Sequence, residues 1–471
     1  MSEKQIHFEE FLYLPALTHE AVIIAWGGFF FEVETHQGKE KWELLEVDKV
    51  AQRVPRLKGV KELIGQNSKP YGTQARVEIT QENGDPIIVH VTGANCAVVT
   101  GLKPNTSYKY RVFVTQDGTE RQWGTGTLRD WVIADGEGAM QPGKSYENTF
   151  RTFPDPLAST PAFSFLVIGD FGRGIRKADK DERCQRQVAE AMTMAARVND
   201  VRFMMTTGDN IYAKTFLGIP TGKDSGDEDD DWFFTYFQPY RYLLNRIPVF
   251  PAVGNHDEEE NEKSIDRQQI YDNLYLQTQF NQLRSKQDCS MEFGLFYRFG
   301  FGRDAEFICL DTSKSKSGKR YFDLPDNAPF IQHCLADSAP AWRIVYSHHP
   351  AYCAGPRHES SLSLRRLLTE HPEVRVSFSG HEHNFQYARD GAQHHFLTGG
   401  GGKYRAEKLS SDRLTDNKCE FWGGNDEGHF LMVNIRDNKQ MEVHPYGFLK
   451  NQKLNRIALN PAHGDPFLIL Q

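Results

Sequence analysis

Five short segments of this 471-residue chain carry most of the residues able to do chemistry. They are Gly169-Asp170, Gly208-Asp209-Asn210-Ile211-Tyr212, Gly254-Asn255-His256-Asp257, Tyr346-Ser347-His348 and Gly380-His381-Glu382-His383. In each, a carboxylate, amide or imidazole falls just after a short apolar run with the texture of a strand, so five strand tips could meet at one edge of a sheet. Such donors suit hard or borderline cations, and one carboxylate shared by two ions can hold them about 3.5–4 Å apart. Asp209 is the natural bridge. Two ions held so can clamp a phosphate, lower the pKa of a water and stabilise the oxygens that enter and leave in line, which is hydrolysis of a phosphoester. Each segment is weak alone, since a lone histidine is more often a satisfied core or surface residue than a ligand. The signal lies in the combination.

The strand tips need a frame, and the rest of the chain supplies two. From about residue 10 to residue 130 short alternating or aromatic runs recur: Ala21 to Val33, Ala75 to Ile79, Pro86 to Val91, Cys96 to Leu102 and Tyr108 to Val114. Turn residues such as Asn83-Gly84-Asp85 separate them, and the pattern predicts an all-β sandwich over residues 1–135. The charged stretch Gln37 to Lys69 reads as an insertion between strands. Residues 136–161, rich in Gly, Pro, Ser and Thr, read as a linker. Strand and helix patterns then alternate: strands at Phe163 to Ile168, Val201 to Met205, Pro248 to Val253, Phe307 to Leu310, Trp342 to Tyr346 and Val374 to Phe378, helices at Asp181 to Val198, Asp231 to Arg246 and Leu362 to Glu370. This predicts an α/β catalytic domain over 162–450, followed by a tail over 451–471, with ligands at strand C-termini where such sheets place their sites.

Composition narrows the function classes. The net charge is -8 and there is no long basic run, so nucleic acid is not an expected partner. The acidic runs Asp227 to Asp231 and Asp257 to Glu260 read as solvated loop faces whose potential would disfavour highly charged substrates. Seven scattered cysteines without a Cys-x-x-Cys pair favour free thiols. The start of the chain has no signal-peptide pattern, and Ala21 to Val33 is too short to span a bilayer. The expectation is a soluble, cytoplasmic protein with no membrane partner, or an exported one if a leader lies outside this sequence.

The five segments resemble those of the calcineurin-like metallophosphoesterases, and within them the purple acid phosphatases: Gly-Asp-x-Gly, Gly-Asp-x-x-Tyr, Gly-Asn-His-Asp/Glu, Val-x-x-His and Gly-His-x-His are all present between residues 163 and about 447. The run Gly380 to Tyr387 is closer to the short, tartrate-resistant branch than to the plant branch. The resemblance implies a four-layer fold, two β-sheets flanked by helices. It implies that Asp170, Asp209, Tyr212 and His383 hold one ion and Asp209, Asn255, His348 and His381 the other. A tyrosine ligand suits iron(III), with the divalent partner open among iron, zinc and manganese. His256 would act as general acid or hydrogen-bond donor at the leaving-group oxygen. Arg357 and His358 stand where the family places a phosphate-orienting histidine, so either could serve; a solvent-facing basic pair is the plain alternative. The substrate implied is a small phosphomonoester with inorganic phosphate as product. A phosphodiesterase acting on cyclic nucleotides or phospholipid headgroups is a second reading, and a non-catalytic binding protein using the β-sandwich a third. Leu102 to Val112 resembles a strand entry of fibronectin type III-like domains, with Tyr108 as the corner tyrosine. Gly399 to Gly402 reads as the turn after the last histidine block, and His349, His394 and His395 as supporting residues.

Overall fold

The computed structural model describes residues 3–449 apart from 46–63, 83, 127, 135–136, 178–183, 213–214, 217–218, 221–231, 258–265, 316, 337–339, 406–407 and 424–426, together with 455–456 and 467–469. Most of the charged stretch 37–69 and nearly all of the two acidic runs lie outside the described residues.

Alternating burial makes the N-terminal half a sandwich. Its strands are β1 (Glu3–Leu17), β2 (Val22–His36), β3 (Lys39–Leu44), β4 (Gln74–Gln81), β5 (Ile87–Thr92), β6 (Cys96–Val99), β7 (Ser107–Gln116), β8 (Thr119–Gln122), β9 (Arg129–Ala134), β10 (Glu137–Pro142) and β11 (Thr149–Arg151). One sheet runs β1-β2-β3 with β6 on β2, the other β11-β7-β4-β5 with β8 on β7, and β9-β10 form a hairpin. In β7 every second side chain, Tyr108, Tyr110, Val112 and Val114, is buried, the period a half-covered strand requires. Tyr108 closes the entry to that strand, its hydroxyl accepting the Lys103 N–H at 2.9 Å.

Strand β2 is different: all twelve residues from Val22 to Val33 are buried. One face lies inside the sandwich. The other meets the second half of the chain, where Phe29 and Phe31 pack with Phe11 against Phe233 and Phe237. A strand covered on both faces reads as a continuous apolar run, which is why this segment lacked alternation.

The segment expected as a linker is largely structured. β10 pairs with β9, β11 pairs with β7, and Met140, Phe150 and Phe153 are buried. Its glycines and prolines mark turns between short strands rather than free chain. Within it, the Thr152 carbonyl accepts Arg202 Nη2 at 2.7 Å and Thr160 Oγ1 donates to the Phe301 carbonyl at 2.9 Å, so the crossing is strapped down.

The second half holds β12 (Phe163–Ile168), α1 (Gln185–Val198), β13 (Val201–Thr206), the two-residue strands β14 (Thr215–Phe216) and β15 (Ile219–Pro220), α2 (Gln238–Leu244), β16 (Val249–Pro251), α3 (Asp266–Asn273), α4 (Leu276–Gln282), β17 (Cys289–Ser290), β18 (Phe296–Phe301), β19 (Ala305–Cys309), α5 (Ala328–Ala336), β20 (Trp342–Tyr346), α6 (Leu362–Glu370), β21 (Val374–Ser379), β22 (Phe385–Asp390), β23 (Gln393–Thr398), α7 (Ser411–Asp416), β24 (Cys419–Gly423), β25 (Glu427–Ile435), β26 (Met441–Leu449), β27 (Asn455–Arg456) and β28 (Phe467–Ile469). Two mixed sheets result, β16-β13-β12-β25-β26-β27 with β28 on β26, and β17-β18-β19-β20-β21-β23-β22-β24. They face each other through Phe165 and Phe203 on one side and Phe307 and Phe378 on the other. On the outer face of the second sheet, Ile331 and Leu335 of α5 and Leu364 and Leu368 of α6 cover Ile308 and Val345. Helix α1 covers the first sheet at β25 and β26, giving four layers, and α2 packs against α1 and β1. The stretch expected as a tail contributes β27 and β28, both paired with β26.

The helix expected from Asp231 begins, within the described residues, as a π-helical turn, Phe233–Phe237, that passes directly into α2. Pro239 lacks the N–H that would close an α-helical bond to Thr235, and the Thr235 carbonyl instead accepts Gln185 Nε2 at 2.6 Å. Helix α2 carries Arg241, which is fully buried. Its Nη1 donates to Glu9 Oε1 at 2.8 Å and to the Arg129 carbonyl at 2.6 Å, its Nη2 to the Glu10 carbonyl at 3.0 Å and the Tyr146 hydroxyl at 2.9 Å. These four acceptors come from the β-sandwich half, and a fifth, Gln238 Oε1 at 3.3 Å, from α2 itself. Among the described residues no helix is long and apolar enough to cross a membrane, and all seven cysteines are free.

Removing one partner of so enclosed a pair leaves an uncompensated buried charge. Arg241→Ala is expected to lower unfolding free energy by about 3–5 kcal/mol, read by urea denaturation, and the double variant Arg241→Met with Glu9→Leu to recover part of it.

Candidate metal centre

The five ligand segments leave five strand ends. Asp170 follows β12, Asp209 and Tyr212 follow β13, Asn255 follows β16, His348 follows β20, and His381 and His383 follow β21. β12, β13 and β16 are parallel neighbours in one sheet, β20 and β21 in the other, so their carboxyl ends open at one edge. The chain must turn hard there. Asp170, Asp209 and His381 have positive φ of 56°, 52° and 75°, a conformation that costs a residue with a Cβ about 1–2 kcal/mol. Glycines admit the close approach: a Cβ on Gly254 would strike the Asp209 carboxylate and main-chain nitrogen, and one on Gly380 the Asp170 carboxylate.

Two groups of donors result. Tyr212 Oη lies 3.2 Å from Asp170 Oδ1 and 3.3 Å from His383 Nε2, which is itself 3.4 Å from Asp170 Oδ1. His348 Nε2 lies 2.9 Å from Asn255 Oδ1, 3.1 Å from His381 Nδ1 and 3.4 Å from Asp209 Oδ1. Ligand atoms of Asp170, Asp209 and His348 all fall within 4.8 Å of one another, joining the groups. Two donors about 2.1 Å from one ion at a right angle are about 3 Å apart, so these spacings suit shared coordination.

The protonation pattern supports a cation. His348 Nδ1 sits 2.8 Å from the Thr207 carbonyl, which can only accept, so the proton is on Nδ1. Burial holds His348 below the ordinary imidazole range, and His381 and His383 well below it, so the rings are neutral. His348 Nε2 then presents a lone pair towards the oxygens of Asn255 and Asp209. Acceptors converging in a buried space repel one another unless a cation lies among them. Burial, and then Asp209, also raise Asp170 well above the usual carboxyl range, while burial and the charges of Asp170 and Asp209 raise Tyr212 far above an ordinary phenol. A bound cation reverses both tendencies.

The remaining candidates divide. His256 is exposed, its ring 4.5 Å from that of Tyr212 and its N–H donated to Asp209 Oδ1 at 3.0 Å. The half-buried His358 packs against His381, 3.8 Å between ring centroids with the planes tilted by 41°, its pKa pushed down to about 4 by burial and then by Arg405. Arg357 is exposed. His349 packs 4.4 Å from His381 and pairs with Thr312, while His395 bonds Ser377 and His394 bonds Tyr387, away from the donor groups.

Asp257 corrects the reading of its run as a solvated face, because it is fully buried. Its carboxylate accepts N–H groups from Gly254 (2.9 Å), Asn210 main chain (3.1 Å) and side chain (2.9 Å), and Ile211 (3.1 Å). It thereby staples the Asn255 turn to the Asp209–Tyr212 turn. The signal was its place directly after Asn255 and His256, obscured by the glutamates that follow.

Asp257→Asn replaces an acceptor oxygen with an NH2 facing N–H donors, and should weaken metal affinity about 10–100-fold, measured by competition with a chromophoric chelator. A pH effect follows as well. Burial, and then Asp209, push Asp257 up to about 7, against about 3.9 unfolded. A raised folded-state pKa contributes stability that is complete below about pH 4 and lost as pH rises through about 7. The Tm of the chelated protein should therefore fall over that window, whereas the metal-loaded protein should gain Tm, because its ligands bind deprotonated.

The sequence profile of the calcineurin-like phosphoesterases matches residues 163–385. Purple acid phosphatase 7 of Arabidopsis thaliana is 24% identical over 273 residues, covering 53% of this chain and 73% of that protein. Purple acid phosphatase 4 of the same plant is 25% identical over 277 residues, covering 54% and 71%. Among solved structures, a purple acid phosphatase from yellow lupin (Lupinus luteus) seeds has a TM-score of 0.60 at 13% identity over 93% of this chain and 72% of that one. PhoD has a TM-score of 0.57 at 12% identity over 96% and 92%. At such identities the structural likeness speaks to the fold. Residues 163–385 are thus a calcineurin-like phosphoesterase domain, and with its similarity to purple acid phosphatases this marks the chain as a metal-dependent phosphoesterase.

Proposed function

We propose that the chain hydrolyses phosphomonoesters at a binuclear centre of the purple acid phosphatase kind. Asp170, Asp209, Tyr212 and His383 would hold iron(III), and Asp209, Asn255, His348 and His381 a divalent ion, iron, zinc or manganese. The observation that carries this reading is the Tyr212 hydroxyl within 3.3 Å of both Asp170 Oδ1 and His383 Nε2, because a phenolate favours a hard trivalent ion. When bound, such a pair supplies charge to hold the phosphoryl oxygens and to acidify a water for attack.

The protein groups do the rest. Asp209 fixes the main chain of His256, whose exposed ring flanks Tyr212 on the open side of the centre. From there His256 would give its proton to the departing alkoxide or aryloxide oxygen. His358, packed against His381, would donate an N–H to the phosphoryl group, the orienting role for which Arg357 is the alternative. A small phosphorylated metabolite is the expected substrate, with inorganic phosphate released; neither nucleic acid nor membrane is proposed as a partner, and the cytoplasm is the proposed setting for the sequence as written.

Protein loaded with iron and zinc should absorb in the visible and hydrolyse an aryl phosphate. Tyr212→Phe should lose the colour and Asn255→Ala at least a hundredfold of kcat/KM, on the order of the losses produced by disturbing metal ligation. No turnover with any metal, or a wild-type rate in Asn255→Ala, would sink the reading.

A further inference from the structure

The glycine-rich turn after β23 lies against the metal-binding loops. Gly401 N–H donates to the Gly169 carbonyl and Gly402 N–H to that of Asp170, both at 3.0 Å. A Cβ on Gly402 would strike the Phe171 carbonyl, and one on Gly399 that of Glu382, so a side chain at either position would lift the turn away. The chain then turns through Lys403 and Tyr404 and is fixed again at Arg405, whose N–H donates to the His383 carbonyl at 3.0 Å. The turn thus brings Arg405 beside the tyrosine half of the centre, where its charge acts on Asp170, His383 and His358.

Among the described residues, Arg405 Nη1 is buried and has no hydrogen-bond partner. Leaving a buried guanidinium N–H unpaired is unfavourable, so such a group in a native fold needs a partner from outside the protein, a water, an ion or a bound ligand. A role in neutralising Asp170 would bring the two into contact, yet Asp170 Oδ1 is engaged by the Tyr212 hydroxyl and Oδ2 by the His381 N–H. A guanidinium fork matches the oxygens of a phosphoryl group better than any other side chain.

We propose that Arg405 is a phosphate-recognition residue, gripping the non-bridging oxygens of a dianionic phosphoryl group and thereby favouring monoesters over diesters. The inference rests on the phosphohydrolase reading above. A monoester offers three unsubstituted oxygens and two charges, a diester two and one, so the fork gains more from the monoester. Lys403, whose charge also reaches His383, adds positive potential to the same side.

The test uses the full-length, metal-loaded protein and its Arg405→Gln and Arg405→Lys variants. Inorganic phosphate binding is measured by calorimetry, metal content by elemental analysis, and kcat/KM for 4-nitrophenyl phosphate and bis(4-nitrophenyl) phosphate by absorbance. With metal content unchanged, Arg405→Gln is expected to weaken phosphate binding about 10–100-fold, the loss of a charge-assisted hydrogen bond. The monoester kcat/KM should fall by a similar factor through KM, the diester value by less than about threefold, and Arg405→Lys should recover part of the binding. Phosphate binding unchanged in Arg405→Gln, equal losses for the two esters, or loss of metal from that variant would each overturn the proposal. If the wild type binds phosphate but hydrolyses neither ester, the phosphohydrolase reading fails, while the binding comparison still judges Arg405.

Discussion

Mutual repulsion of lone pairs shapes this molecule. Carboxylates, an amide oxygen and three neutral imidazoles are brought into one space, and the lone pairs that face one another there repel until a cation is present. The fold supplies the restraint instead. Three non-glycine residues are held in left-handed conformations, glycines give the space for turns to touch, and Asp257 ties two of those turns together from behind. Strain and buried charge are tolerable because the strands beneath are buried and regular: every residue of β12, β13 and β20 is enclosed.

The same logic extends outwards. Phe171, next to Asp170, packs edge-on against Tyr240 of α2, and the following residue of that helix is Arg241, gripped by the β-sandwich. Gln185 at the start of α1 bonds both Gly174 N–H beyond the Asp170 loop and the carbonyl freed by the π-helical turn. A continuous set of contacts therefore runs from the sandwich, through two helices, to a metal-binding turn.

Much of this was legible in the sequence because the motif residues sit at strand ends, where hydrophobic runs break abruptly. Phe163–Ile168, Trp342–Tyr346 and Leu362–Glu370 stand in the structure where the pattern placed them. What escaped had identifiable causes. β10 and β11 were hidden by glycine and proline, and β1 by glutamates at Glu9 and Glu10, which are buried rather than solvated. Asp257 carried a local signal that the following glutamates obscured, whereas Arg405 could not be read as a site residue from local pattern, because its role depends on which distant carbonyls the turns bring beside it. Between Arg357 and His358, the packing of His358 against His381 is a tertiary fact that no spacing rule contains.

Strand β2, enclosed on both sides, bears on how far the two halves can be regarded as modules. An ordinary sandwich domain can be excised and transplanted because its outer faces are polar. Here one outer face is a slab of phenylalanine rings that matches Phe233 and Phe237, and beside it lies Glu9, whose charge is matched by an arginine from the other half. Separated, each half would expose a sticky surface and an orphan charge. The two are one inheritance unit: insertions can accumulate in the loops of either, but the seam between them can change only by paired substitutions, as at a permanent interface between subunits.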